Sequence, residues 1–289
     1  MRVSLNMTNY SWPDEAAHLG SRIKQVVRAA DDAGLDTVWV SDHLFQADPT
    51  STPEAEMLEA YTTLGFLAAH TTRVRLGAMV TAATYRAPSL LVKAVTTLDV
   101  LSGGRAWLGI GAGYQEQEAG AMGLFLPPTR ERFERLDETL RLAIQMWAGD
   151  DAPFVGTHYQ LERPINSPQS VTRPHPPILI GGMGEQKTLR LVARYADACN
   201  LFDVPDGGKT ITRKLSVLAD HCREVGRSYD EIDKTVSMRL ALGESAASFV
   251  ERCNALVAIG IEHAVAITSG PWTDDGLATL AAAVLALRG

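Results

Sequence analysis

Strand-like runs alternate with helix-like stretches along the whole chain, strand then helix, eight times over. The strands are read at Arg2–Met7, Thr37–Ser41, Val74–Val80, Arg105–Gly109, Ile178–Ile180, Ala198–Phe202, Thr235–Leu242 and His263–Thr268. The intervening helices are read at Ser21–Ala33, Glu56–His70, Pro88–Ser102, Arg130–Trp147, Thr188–Tyr195, Thr210–Val225, Ser248–Ile259 and Asp274–Leu287. The helix over 130–147 is the clearest, with Phe133, Leu136, Leu140, Ile144 and Trp147 at helical spacing. Pro88 opens the third helix and Gly103-Gly104 stops it. The strands lack a clean inside–outside alternation, as expected where both faces are covered. Eight such units in 289 residues fit one parallel (β/α)8 TIM barrel, whose usual length is ~250 residues. We therefore expect one barrel domain over residues 1–289.

An open doubly wound sheet is the main rival. It requires Gly-x-Gly-x-x-Gly after the first strand, with an acidic residue about 20 positions later. Nothing in residues 1–35 supplies it, and Gly109-Ile110-Gly111-Ala112-Gly113 has the wrong spacing.

Hydrophobic residues make up 46% and charged residues 21% of the chain, which is ordinary for a globular enzyme. A net charge of −7 argues against a nucleic-acid-binding surface. No apolar run reaches spanning length, and Met1–Met7 is too short for a signal segment, so a cytoplasmic protein without a membrane segment is expected. Cys199, Cys222 and Cys253 are far apart and odd in number. They read as buried thiols, neither a disulfide frame nor a zinc site.

In a barrel the site lies at the C-terminal ends of the strands. That rule selects Asp42 and His43 after strand two, Met79 to Tyr85 after strand three and Gly111 to Glu118 after strand four. It also selects Gly181 to Glu185 after strand five, and Asn200, Phe202 and Asp203 after strand six. The segment Gly149–Arg173 joins a helix to a strand and belongs on the opposite face, where it is expected to pack or to contact another subunit.

Pro176-Pro177-Ile178-Leu179-Ile180-Gly181-Gly182-Met183-Gly184-Glu185 is a buried strand running through three glycines into a helix. Glycines admit an anion close to the backbone, and the free N–H groups of a first helical turn point at it. The local pattern fits a phosphate cradle and a ligand-free tight turn equally well. His43 has a near-neutral intrinsic pKa and suits proton transfer or a hydrogen bond to a ring; it also suits a structural tie at the strand end. Its position favours function. Asp42 either orients His43 or accepts a loop hydrogen bond. Gly111-Ala112-Gly113 leaves space for a flat ligand. Glu116 and Glu118 suit pocket acids, but a Gln-Glu-Gln-Glu run more often begins a solvated helix. Lys187 and Arg190 either pair with a phosphate or face water. No His-Glu-x-x-His, Cys/His cluster or Gly-x-Ser-x-Gly is present, so no metal is expected and hydrolysis is poorly supported.

These stretches together resemble the bacterial luciferase-like superfamily of flavin and deazaflavin oxidoreductases, most of all its coenzyme F420-dependent branch. The resemblance rests on Val38–His43, Arg75–Pro88, Leu108–Tyr114, Arg130–Leu136 and Pro177–Asp197, and covers most of residues 1–270. It implies the barrel already argued, often as a homodimer. It implies that His43 lies beside the cofactor ring, with Tyr114 as a second catalytic candidate. It implies a non-proline cis peptide at Met79–Val80 under the ring, with Asp42, Thr81 and Gly111–Gly113 around it. Gly181, Gly182, Met183 and Gly184 would then hold the cofactor phosphate. The implied chemistry is hydride transfer between coenzyme F420 and a small organic substrate. The alternatives are an FMN-dependent monooxygenase and a cofactor-binding protein without turnover. Two departures stand out. The family's sugar-phosphate and secondary-alcohol dehydrogenases carry a glutamate where Tyr114 stands and a tryptophan where Ala47 stands, which argues against those two substrates.

Overall fold

The computed structural model describes residues 1–13 and 16–288. Strands β1 (Arg2–Met7), β2 (Thr37–Val40), β3 (Arg75–Ala78), β4 (Thr81–Ala82) and β5 (Leu108–Gly111) alternate with helices α1 (Leu19–Asp32), α2 (Ala60–His70) and α3 (Pro88–Ser102). Helices α4 (Glu116–Met122) and α5 (Thr129–Trp147) follow, then a short antiparallel pair, β6 (Phe154–Val155) and β7 (Gln160–Leu161). The chain ends with β8 (Ile178–Gly181), α6 (Thr188–Tyr195), β9 (Ala198–Phe202), α7 (Lys209–Val225), β10 (Asp233–Arg239), α8 (Ala246–Val257), β11 (His263–Ile267) and α9 (Asp274–Arg288).

The main sheet has nine strands in the order β3-β2-β1-β11-β10-β9-β8-β5-β4, and the ladders between them are parallel. A bridge between Leu76 and Ala106 brings its two ends together, with Leu76 N–H donating to Arg105 O and Trp107 N–H to Leu76 O, each at 2.8 Å. β3 and β4 are two parts of one interrupted stave. The peptide between them, Met79–Val80, is cis. The (β/α)8 barrel expected from the alternation is thus present, with its third stave broken and its fourth moved three residues towards the C-terminus at the start. Arg105-Ala106-Trp107 is extended without entering a named strand.

The barrel interior is layered. At the bottom Arg2 pairs with Asp36 (3.7 Å) and with Asp233. His263 lies 3.7 Å from Asp233 and accepts or donates a 2.6 Å hydrogen bond with Ser4 Oγ. Arg75 stacks on Trp107, 4.4 Å from the ring centre. The middle is apolar, with Trp39, Trp107, Leu179, Ala198 and Val265 buried together. Above this floor the inward side chains turn polar: Asn6, Asn200 and Ser237 are buried there. A plugged bottom and a packed middle leave the top as the open face.

The segment over 149–173 lies at the bottom and packs against α3. Asp99 accepts hydrogen bonds from Val171 N–H, Thr172 N–H and Thr172 Oγ1–H at 2.7, 2.9 and 2.7 Å. The β6–β7 hairpin in it is held by Glu138, which accepts from the N–H groups of Thr157, His158 and Tyr159. Cys199, Cys222 and Cys253 are buried free thiols, and burial pushes Cys199 up to about 12. Among the described residues no helix is long and apolar enough to cross a membrane.

Candidate active site

A cavity of about 530 Å³ opens at the C-terminal ends of the strands. Of the residues selected from the sequence, Asp42, His43, Met79, Val80, Gly111, Ala112, Gly113, Tyr114, Gly181 and Gly182 border it. Thr81, Met183 and Gly184 do not. Thr81 is buried behind the wall, hydrogen-bonded to the Tyr61 hydroxyl at 2.8 Å. Met183 Sδ accepts from Phe202 N–H at 3.4 Å. Gly184 O accepts from Leu189 N–H at 3.0 Å, starting α6.

His43 does not pair with Asp42. Its Nδ1 lies 2.9 Å from Glu118 Oε2. The same oxygen accepts the Tyr85 hydroxyl at 2.8 Å, and Oε1 accepts the N–H of Leu44 at 2.5 Å and of Phe45 at 3.4 Å. Glu118 is fully buried, so it is not on a solvated helix face as the Gln-Glu-Gln-Glu run suggested. The helix α4 is only seven residues long and lies over the barrel mouth, so its inner face meets the site. Burial alone would raise the Glu118 carboxyl. The hydrogen bonds from His43, Leu44 and Tyr85 and the His43 charge outweigh it and hold the carboxyl below its usual range. Burial and the Glu118 carboxylate together push the Tyr85 phenol up, so it stays a donor.

Asp42 instead forms a two-pronged pair with Arg86, at 2.6 and 2.9 Å. Arg86 also bonds Glu59 Oε1 at 2.6 Å and lies over the Tyr61 ring, 4.9 Å from its centre. Burial opposes the Arg86 charge, but the Asp42 and Glu59 carboxylates more than offset that. This cluster braces the floor from outside. Inside it, the Val80 side chain projects between two strand-end glycines. A Cβ at Gly111 or at Gly181 would lie 3.0 Å from a Val80 methyl. Tyr114 stands at the rim, largely exposed, with its ring edge-on to His43 at 6.1 Å.

The family model for luciferase-like monooxygenases matches residues 1–280. The chain belongs to the luciferase-like monooxygenase family. Among its relatives is a protein of Kineococcus radiotolerans named F420-dependent glucose-6-phosphate dehydrogenase, 35% identical over 231 residues. That match covers 77% of this chain and 64% of the relative. Solved structures share the fold. An F420-dependent secondary alcohol dehydrogenase with an F420-acetone adduct superposes with a TM-score of 0.85 at 16% identity, covering 100% of this chain and 99% of that one. The monooxygenase RslO1 from Streptomyces bottropensis gives 0.83 at 17% identity, with both chains fully covered.

One end of the cavity in this luciferase-like chain is cationic. Thr129 and Arg132, from the first turn of α5, line it together with Gly182 and Thr188. Arg132 is 8% exposed and, among the described residues, makes no ion pair. Its guanidinium donates to Gly113 O at 2.6 Å and to Thr129 Oγ1 at 2.7 Å, and its buried Nε has no partner. A buried guanidinium without a counter-charge is costly, and an anion at this end would offset it. Gly182 takes φ +121°, open to glycine and closed to most residues. Among the lining residues Asn6 Oδ1 is a second buried atom without a partner.

Reading the sequence named Glu118 as a candidate but favoured a solvated helix for it, and it missed Arg132, Thr129, Asn6, Ser237 and Arg239. The signal was present for most of them. Asn6, Ser237 and Arg239 end strands of the barrel, and every barrel helix starts on the face where the strands end. That places the first turn of α5 at the mouth.

Proposed function

We propose that this protein is an oxidoreductase that binds coenzyme F420 and transfers a hydride between the deazaflavin and a small organic substrate. The observation that carries this reading is the pairing, in one cavity, of a histidine backed by a buried carboxylate with an uncompensated guanidinium beside a glycine cradle. The first suits proton transfer, and the second suits a phosphate-bearing cofactor. The name of the Kineococcus relative favours F420, although this chain spans only 64% of that relative's length.

The donor set fits such a cofactor. Gly182, Thr188, Thr129 and Arg132 would hold its phosphate. Gly111 and Gly181 let Val80 rise under its ring, and Asn6 Oδ1 offers an acceptor to a ring or substrate N–H or O–H. The bound deazaflavin supplies the hydride chemistry. His43 would exchange a proton with the substrate, held by Glu118, which Tyr85 holds in turn. Ala47, Pro49, Met79 and Phe202 add apolar surface to the cavity lining. Tyr114 and Ala47 still stand where a glutamate and a tryptophan accompany sugar-phosphate and secondary-alcohol substrates, so those substrates are not carried over. A homodimer in the cytoplasm belongs to the same reading.

His43→Ala is expected to lower turnover by about 10²–10⁴-fold with the protein still folded by circular dichroism. Unchanged turnover would remove His43 from the reaction. FMN-dependent oxygenation is the second reading, favoured by the family description and by the likeness to RslO1. Oxygen consumption with reduced FMN, set against deazaflavin reduction with candidate alcohols and carbonyls, separates the two. Failure of both with cofactor bound would leave a binding protein without turnover.

A further inference from the structure

We infer that Glu118 is a positioning residue that fixes the hydrogen of His43 on Nδ1, so that the nitrogen exchanging protons with the cavity is Nε2. The inference deepens the reading of His43 given above and rests on it only for its effect on turnover; the tautomer itself is a property of the protein alone.

Both Glu118 oxygens are committed to donors. Oε1 receives two backbone N–H groups, from Leu44 and Phe45, which have no freedom to become acceptors. Oε2 receives the Tyr85 hydroxyl and faces His43 Nδ1 at 2.9 Å. A carboxylate surrounded in this way is an acceptor only. The Nδ1 it meets must therefore carry a hydrogen whether the imidazole is neutral or charged. Among the described residues Nε2 has no protein partner, and His43 borders the cavity. A neutral His43 thus shows a lone pair to the ligand, and a charged one shows an N–H. The site that gains and loses the proton is the same atom in both directions of the reaction.

The chemistry of the replacement amide sharpens this. In Glu118→Gln the two fixed backbone N–H groups demand the amide oxygen at the Oε1 position. The amide nitrogen then falls at the Oε2 position and donates. Tyr85 can rotate its hydroxyl to accept, but His43 Nδ1 can accept only by giving up its hydrogen. Neutral His43 then moves its hydrogen to Nε2 and shows the cavity a donor where the parent shows a lone pair. A shape-conserving change 2.9 Å behind the ring inverts what the ligand meets.

Imidazole 15N chemical shifts of the full-length protein without added cofactor test this, with His43 assigned by its loss in His43→Gln. The parent is expected to show neutral His43 with Nδ1 protonated and Nε2 bare, and Glu118→Gln to show the reverse. Tyr85→Phe, which removes a donor but leaves the carboxylate, is expected to keep the parent pattern. A parent spectrum with Nε2 protonated in the neutral form overturns the inference, even if the glutamine variant does not fold. So does a folded glutamine variant with unchanged shifts. In turnover, Glu118→Gln is expected to fall by about 10²-fold or more while cofactor affinity stays near the parent's. A merely structural role would lower stability without moving the tautomer. If the protein fails to bind deazaflavin while the 15N pattern is as expected, the functional reading falls and the tautomer assignment stands.

Discussion

At the residue scale, Arg132 tests the anion end of the cavity. Arg132→Gln keeps a donor and removes the charge, and one charge-assisted bond is worth about 1.5–3 kcal/mol. Affinity for a phosphate-bearing cofactor is expected to fall by about 10–100-fold in a fluorescence titration. An unchanged affinity would place the phosphate elsewhere. Gly109 tests the close approach between adjoining staves. A Cβ there would lie 1.9 Å from Ala78 O, a backbone atom that cannot yield. Gly109→Ala is expected to cost about 3 kcal/mol or more, lowering the thermal midpoint by roughly 6 °C or more. His43, the strand-end glycines and the cis step at Met79–Val80 were legible from the pattern and the resemblance. Glu118 was not. A glutamate four residues beyond Tyr114 in a polar run looks solvated, and only the placement of a short helix over the mouth buries it. The pairing of Asp42 with Arg86 was hidden for a similar reason, since the two lie 44 positions apart in sequence.

At the element scale, the end of α1 is clasped to the start of β3 by Asp31. Its carboxylate accepts from the N–H groups of Thr72, Arg73 and Val74 at 3.0, 2.8 and 2.7 Å. Burial opposes its charge, but these bonds and the Thr72 hydroxyl hold its pKa below the ordinary value. A carboxyl depressed in the folded state stabilises the fold above its unfolded pKa, and that contribution is lost as the pH falls through the folded value. Asp31→Asn is expected to lower the thermal midpoint at pH 7, and the gap to the parent should close below about pH 4. A gap that persists in acid would mean that packing at the clasp matters more than charge. The helices were the most legible elements, because their apolar faces repeat at 3.6 residues; α6 was read at its observed bounds. The fourth stave was read early because Arg105-Ala106-Trp107 is strand-like in composition, yet the ladder to β8 begins only at Leu108 and runs to Ile110. The β6–β7 pair was not foreseen, since two-residue strands carry no periodicity.

At the scale of the whole molecule, the alternation of strand and helix dictated the barrel, and the barrel dictated which ends of the strands meet. The ionic plug of Arg2, Asp36, Asp233 and His263 at the bottom and the Trp39–Trp107 layer above it close one end, so chemistry is confined to the other. Light scattering is expected to give twice the mass of the 31.2 kDa chain, and a monomer would remove the homodimer from the proposal. The most direct test of the proposed function is a parallel titration of the purified full-length protein with coenzyme F420 and with FMN, followed by cofactor fluorescence. Saturable F420 binding at micromolar concentrations or tighter, with FMN neither binding nor competing over the same range, is the expected result. Tight FMN binding with no response to F420 would contradict it.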